Sequence, residues 1–420
     1  MYWPKLPATT IKERVFEALN KNLNYSTEPI LGLPGTYLDQ EQFYDFSFLK
    51  EAAFLSVLVN NPNHIGCHTF NDGEKYFSGT QKLEIDLLRI CAVEILGAEE
   101  SGYDGYVAPG GTEANIQAQW MYRNFFMQKE NAKIEEIGVI FSEDAHYSVY
   151  KGSNLLGIHP ITVKVDHDTR QVLLDDLKGQ LEAAYNKGIR YLIVHLSMGT
   201  TIFGSIDSPE TFLAVVKQYF KHYFVHVDAA FGGFIYPFST QKNDLSFKNP
   251  EISSITIDGH KMLQSPYGTG IFLCRKSLIE YVQTKEASYV YGSDFTLCGS
   301  RSGANAISMW MILMTHGSEG WTQVIKQLID RADYLCNALD KMGIKYYRNA
   351  DMNIVTIAAN EISEELAEKY YLVADNYLHP QWRKVVVMNH VKKELIDSFL
   401  TDLKKERQRA GSPIRIGLIS

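Results

Sequence analysis

Between residues 137 and 258 the chain alternates short runs of branched apolar residues with longer stretches whose apolar residues recur at helical spacing, and this narrows the possible folds more than any other feature. The runs are IGVIF, PITVKV, YLIVHLS, YFVHVD and SITID, with helical stretches near 173 to 187 and 208 to 221 among them. Strand and helix in regular succession imply crossovers, and crossovers imply a parallel sheet. Ligands of such sheets lie where the carboxyl ends of the strands open onto a common crevice. Residues just beyond a strand end are therefore the first candidates for chemistry.

Ser254, Thr256 and Asp258 alternate with Ile255 and Ile257, which predicts a half-buried strand that stops at Gly259 and hands over His260 and Lys261. A lysine flanked by Ile257, Gly259, His260 and Met262 is expected to be partly desolvated, which lowers its pKa and frees the amine to attack a carbonyl. Asp228 ends YFVHVD and is followed by Ala229, Ala230, Gly232 and Gly233, small residues that let a flat ring approach the carboxylate. The 33 residues from Asp228 to Lys261 suffice for one crossover and a return strand, so one crevice can hold both groups. Upstream, a short strand runs into Gly110 and Gly111, and Thr112 and Glu113 open a helix, so backbone N–H groups and a hydroxyl converge on an anion site. No GK[ST] follows and no GxGxxG is present, which suits one phosphate rather than a dinucleotide. His146 follows IGVIF, and Ser197, Thr200 and Thr201 follow the strand of YLIVHLS.

With 420 residues, 45% hydrophobic and 21% charged, the chain can bury a large core with one or two smaller pieces. A net charge of −8 without any long Lys/Arg run argues against nucleic acid or an anionic membrane as a partner. No apolar run approaches the ~20 residues of a membrane span. Cys67, Cys91, Cys274, Cys298 and Cys336 are scattered, so neither a disulfide framework nor a metal site is expected, and the expected location is cytoplasmic. Residues 9 to 22 and 41 to 60 read as helices joined by a Pro/Gly-punctuated arm, a polar and aromatic loop carries His64 and His68, and 81 to 97 reads as an amphipathic helix. Beyond Lys261 come the run GTGIFLC, a helix near 277 to 284 and a long helical stretch to about 342. Strands at YYRN, NIVTIAA and KVVVMNH with helices near 362 to 377 and 391 to 409 follow. The expected division is an N-terminal helical segment 1–60, a large domain 61–315 and a small C-terminal α+β domain 316–420.

PGGTEAN, DAHYS, LSMGTT, VDAAFGG, SITIDGHKM and GSRSG, in this order, resemble the motifs of the pyridoxal-phosphate-dependent amino acid decarboxylases, the group that includes tyrosine, aspartate, histidine and glutamate decarboxylases. The resemblance spans about Gly79 to about Leu403 and implies the α/β aspartate-aminotransferase fold, fold type I, with a mainly parallel sheet in the large domain. It implies that Lys261 holds pyridoxal 5'-phosphate as a Schiff base and that Asp228 pairs with the ring nitrogen. His146 would stack on one ring face and Ala230 pack against the other, Gly111 and Thr112 would bind the phosphate with His260 close by, and Ser197 would donate to the ring hydroxyl. In this family the loop at 299–303 approaches the phosphate of the partner subunit, which makes Ser300 a candidate and implies a homodimer with shared active sites. A cation of the last domain binds the substrate carboxylate in the family; Arg383 is the candidate here, with Lys384 and Arg415 as alternatives.

His64, His68 and the aromatic residues around Tyr76 and Phe77 point to an aromatic or imidazole amino acid, converted to its amine and CO₂. An acidic amino acid stays open, as does carbon–carbon cleavage of a phosphorylated amino alcohol by a lyase of the sphingosine-phosphate-lyase type. EASYVYGSDF carries Tyr289 and Tyr291, which read equally as proton donors to the substrate α carbon and as packing at a subunit interface. The resemblance favours Tyr289, 28 residues after the lysine, as the donor.

Overall fold

The computed structural model describes residues 29–32, 78–284 and 293–409. The expected helices at 9 to 22 and 41 to 60, the loop with His64, His68, Tyr76 and Phe77, the pair Tyr289 and Tyr291, and Arg415 lie outside the described residues.

Helix α1 (Ser78–Arg89) precedes β1 (Tyr103–Ala108), α2 (Gly111–Lys129), β2 (Ile137–Ser142), α3 (Ser148–Leu156), β3 (His159–Val163) and α4 (Leu174–Asn186). Then come β4 (Tyr191–Ser197), α5 (Pro209–Tyr219), β5 (His222–Ala229), β6 (Ile252–Asp258) and β7 (Gly270–Arg275). Helix starts follow side-chain chemistry: at α5 the Ser208 hydroxyl accepts the Thr211 N–H at 3.2 Å, with Pro209 in the first turn. The segment read as one helix over 81 to 97 runs as α1 to Arg89 and then widens into a π turn over Ile90–Ile95.

The seven strands form one sheet in the order β1-β7-β6-β5-β4-β2-β3. From β6 through β3 all pairs are parallel, and β7 is antiparallel to both β6 and β1. The βα series stops at β7 because the link at 259–269 is too short for a crossover helix, so the chain returns beside β6 as a hairpin. β6 differs from the half-buried expectation, since every one of its residues is buried. Ile255 and Ile257 point into one core, where full burial of each contributes roughly 1.5–3 kcal/mol. The opposite face meets α2, where the Tyr122 hydroxyl donates to Ser254. Ser254 and Thr256 on β6 thus mark hydrogen-bonded buried groups rather than a wet face.

The long helix α6 (Gly303–Lys341) is interrupted at Gly317, whose φ of 61° and ψ of 175° suit glycine alone. Its later part packs Ala332, Leu335 and Leu339 into a second core. That core also uses β8 (Tyr346–Tyr347), β9 (Ile354–Ala358), α7 (Glu364–Lys369), β10 (Val373–Ala374), β11 (Trp382–Val386) and α8 (Lys393–Arg409). The second sheet is antiparallel, in the order β10-β11-β9-β8. The helix expected to about 377 ends early, as Tyr371 takes a φ of 52° and β10 pairs with β11 instead.

α1 is tied to the large sheet by a buried ion pair between Glu84 and Arg301. Glu84 Oε1 also accepts the Val107 N–H at 2.6 Å, and Arg301 donates to the Val107 carbonyl at 3.2 Å. Removing one member strands the other charge, so Arg301→Met is expected to cost about 3–5 kcal/mol of stability. Urea unfolding checks this: the midpoint should fall clearly, and the double variant with Glu84→Met should recover part of the loss. An unchanged midpoint would show that the pair holds nothing together.

Candidate active site

The carboxyl ends of β1, β5 and β6 meet at one place. Gly110 precedes α2 with a φ of 156°, and the first turn of α2 presses against neighbouring strands: a Cβ on Gly111 would lie 2.9 Å from Asp258 Oδ2 and 3.1 Å from the Ala230 Cβ. Gly111 and Thr112 line a cavity of about 400 Å³ together with His146, Asp228, Ala230, His260 and Lys261.

Asp228 is buried and fully engaged. Its Oδ2 accepts from Asn115 Nδ2 at 2.8 Å, its Oδ1 accepts the Ala230 N–H at 3.0 Å, and His195 Nε2 lies 3.9 Å away. Burial opposes ionisation, yet His195, Lys261, His146 and the Ala230 N–H outweigh it and hold the carboxyl below its ordinary range. Burial pushes His195 itself down to about 4, so at neutral pH the Lys261 ammonium and the N–H donors keep Asp228 ionised.

Lys261 corrects an expectation. Desolvation does press its pKa down, but Asp258 and Asp228 more than reverse this and hold it above the ordinary lysine range. Nζ sits 3.0 Å from Asp258 Oδ2, so the resting amine is an ammonium with a proton acceptor already in contact. His146 goes the other way: burial lowers its pKa, with Asp228 opposing, and it is neutral at pH 7. His260 holds the Thr269 carbonyl at 2.9 Å through Nδ1, leaving Nε2 3.6 Å from Asp258. Ser197, at the end of β4, shares an adjoining recess with Thr200, Thr201, Ala230 and Lys261. Its N–H donates to Asp207 at 2.7 Å, a carboxyl that burial pushes up to about 7. Ser300 is exposed and does not line the cavity, although Leu297 of the same loop does.

These residues fit pyridoxal 5'-phosphate. The cradle at the start of α2 has no room for a Cβ, as a closely held phosphate requires, and an amine, a buried carboxylate and a neutral imidazole face the same cavity. The sequence pattern of the pyridoxal-dependent decarboxylase conserved domain matches residues 80–358, more than half of the chain.

The chain belongs to the pyridoxal-dependent decarboxylase family.

This decarboxylase is 46% identical over 407 residues to a tryptophan decarboxylase of Clostridium sporogenes, covering 96% of this chain and 97% of that one. It is 32% identical over 373 residues to a probable L-tyrosine/L-aspartate decarboxylase of Methanocella arvoryzae, covering 84% and 92%. Its fold is that of L-methionine decarboxylase from Streptomyces sp. 590, with a TM-score of 0.77 at 19% identity over 96% of this chain and 98% of that one. It is a pyridoxal-phosphate-dependent amino acid decarboxylase of fold type I.

From the small sheet, neighbouring residues of β11 point opposite ways. Arg383, the expected carboxylate ligand, forms an ion pair with Glu364 of α7. Lys384 instead donates to the Thr201 carbonyl at 3.1 Å, beside the recess that Lys261 lines. Burial, then the Lys261 charge, pushes its pKa down to about 8.

Several groups escaped sequence reasoning. Asn115 and Asp258 stand inside PGGTEAN and SITIDGHKM, one helical turn beyond the glycines and three residues before the lysine, and those spacings are the available signal. Tyr147, next to His146 in DAHYS, also lines the cavity, as do Tyr267 and Leu297 from connecting segments that carry no local pattern. The tightness at Gly111 gives a direct expectation: Gly111→Ala should weaken cofactor binding roughly ten-fold or more, as overpacking does. Titrating apoprotein with cofactor by absorbance, alongside a melting curve, checks it. Parent-like affinity in a folded variant would place the phosphate elsewhere.

Proposed function

We propose that this enzyme decarboxylates an aromatic L-amino acid, tryptophan or tyrosine first among them, to the corresponding amine and CO₂. The observation that carries the reading is the cavity wall. Ile116, Tyr147, Tyr267 and Leu297 stand beside His146, and among the described lining residues Lys261 is the one permanent cation. An acidic side chain would require a further cation, and a phosphorylated amino alcohol would require a second basic cluster. Identity with the tryptophan decarboxylase supports the same reading.

When bound, pyridoxal 5'-phosphate supplies the electron sink that accepts the pair left behind as CO₂ departs. The N–H groups of Gly111 and Thr112 would hold its phosphate at the start of α2, with His260 alongside, and Ser300 from a second subunit would complete that cradle. Asp228 would pair with its ring nitrogen, His146 and Ala230 would cover the two ring faces, and Ser197 would donate to its ring hydroxyl. Asp258 Oδ2, in contact with Lys261 Nζ, would hold the amine in place beside the cofactor. Tyr289, outside the described residues, would be the donor of the proton that the substrate α carbon takes up. Tyr147 and Tyr267, 61% and 82% exposed at the cavity rim of the single chain, support a homodimer in which a second subunit covers the site. The unpaired Cys91, Cys274, Cys298 and Cys336 support a reducing, cytoplasmic setting. Gly317 supports a junction between a large domain ending near 315 and a small one beginning near 316.

The test is release of CO₂ and amine from a panel of tryptophan, tyrosine, phenylalanine, histidine, glutamate and aspartate. Aromatic substrates should lead, and Lys261→Ala should abolish both turnover and the covalent cofactor link; glutamate or aspartate as the best substrate would overturn the reading.

Lys384 takes the substrate carboxylate. Its charge is present below its pKa of about 8 and is lost as the pH rises through that value, so KM should climb on the alkaline side. Lys384→Arg should carry the climb beyond the assay range, and Lys384→Met should raise KM on the order of ten-fold at neutral pH, the loss of one charge-assisted hydrogen bond. A Met variant with parent KM would remove Lys384 from the site.

A further inference from the structure

Behind Asp228, away from the cavity, a set of buried polar side chains is linked by hydrogen bonds whose directions can be assigned. Asn115, Ser148, His226 and Ser254 are each at most 1% exposed, so none has water to fall back on. Asn115 touches three of the other groups: Nδ2 lies 2.8 Å from Asp228 Oδ2 and 3.0 Å from Ser148 Oγ, and Oδ1 lies 2.9 Å from His226 Nε2. The ionised Asp228 can only accept, so the amide atom facing it is the nitrogen. Both hydrogens of that nitrogen are then used, and Oδ1 must receive a proton from His226 Nε2.

The rest follows from neutrality. Burial keeps His226 far below the ordinary histidine range, so with its proton on Nε2 it carries a lone pair on Nδ1. Ser254 Oγ, 2.7 Å from Nδ1, donates to it, and the Tyr122 hydroxyl donates to Ser254. On the other arm, Ser148 accepts from Asn115 and turns its own hydrogen to His146 Nδ1 at 2.9 Å. The Ser148 backbone N–H points at the same atom from 3.3 Å. Two donors on Nδ1 leave the proton of His146 on Nε2. The charged groups around His146 are Asp228, Lys261, Asp258 and Lys151, of mixed sign, so charge alone does not select a tautomer.

We propose that Asn115 is a positioning residue for the decarboxylation, dividing one directed chain of hydrogen bonds into an arm that holds Asp228 ionised and in place and an arm that fixes His146 as its neutral Nε2–H tautomer. The inference rests on the reading of Asp228 and His146 as the groups facing the cofactor ring. It explains why an asparagine stands there: aspartate would set a second acceptor against Asp228, and leucine would leave His226, Ser148 and Asp228 unpaired.

The test begins without a variant. In apoprotein labelled with nitrogen-15 in its histidines, long-range proton–nitrogen NMR reads the tautomer of each ring, with assignments from His226→Gln and His146→Gln. His226 and His146 should both carry the proton on Nε2. A proton on Nδ1 of His226 means that the amide presents oxygen to Asp228, which overturns the proposal. Ser148→Ala, which cuts only one arm, should move the His146 resonances and leave those of His226 in place. Asn115→Ala should move both. In the cofactor-loaded enzyme Asn115→Ala should shift the pH profile of the cofactor absorbance band and lower kcat on the order of ten-fold, with KM changed less. His226→Gln, which retains a donor toward Asn115, should keep the parent profile. Parent-like His146 resonances in both the Asn115 and Ser148 variants would sink the idea. The apoprotein spectra do not depend on turnover, so normal turnover in Asp228→Asn would defeat the assignment of Asp228 to the ring nitrogen while the proton positions of His226 and His146 in the parent apoprotein would still report on the hydrogen-bond chain.

Discussion

A carboxylate kept ionised in a buried place is the interaction on which the rest of this structure depends. Asp228 sits at the end of a central strand, where burial works against its charge, and it survives as an anion because N–H donors and the Lys261 ammonium surround it. Each of these comes from a different segment: Asn115 from α2, Ala230 from the turn after β5, and Lys261 from the hairpin link after β6. The parallel order of β4, β5 and β6 brings those segments side by side. Fold and chemistry are joined at this point, since an altered sheet order would leave the anion without its neighbours.

The two ionisable groups that face the cavity beside Asp228 are tuned in opposite senses. Lys261 is held charged by Asp258 and Asp228, and His146 is held neutral by burial. Groups with pKa values driven apart within one site are suited to different tasks, one being charged and the other neutral at the same pH. The contact of Lys261 with Asp258 rather than with Asp228 keeps these tasks from competing for the same carboxylate.

Much of this was legible in the sequence, and the gaps have physical causes. The strand ends at Asp228 and Lys261, the glycines before α2 and the position of His146 follow from local patterns, because a strand end and a helix start are local events. The half-buried reading of β6 failed because the polar faces of Ser254 and Thr256 are met by Tyr122 and His226, residues far away in sequence. The lysine was expected to be depressed by its apolar neighbours, but a carboxylate three residues earlier outweighs them. The choice between Arg383 and Lys384 is a question of strand register, which one residue of slippage inverts. Only the pairing of β11 with β9 decides which of the two side chains turns toward Thr201.

The cavity is built from two kinds of material. Asp228, Lys261 and the first turn of α2 stand on or directly beside the sheet, while Tyr147, Tyr267 and Leu297 belong to connecting segments around its mouth. On the proposed reading, bond-breaking falls to the rigid part and the shape offered to a side chain to the replaceable part. A lineage with this plan can exchange one amino acid diet for another by rewriting three short connections, inheriting the decarboxylation intact.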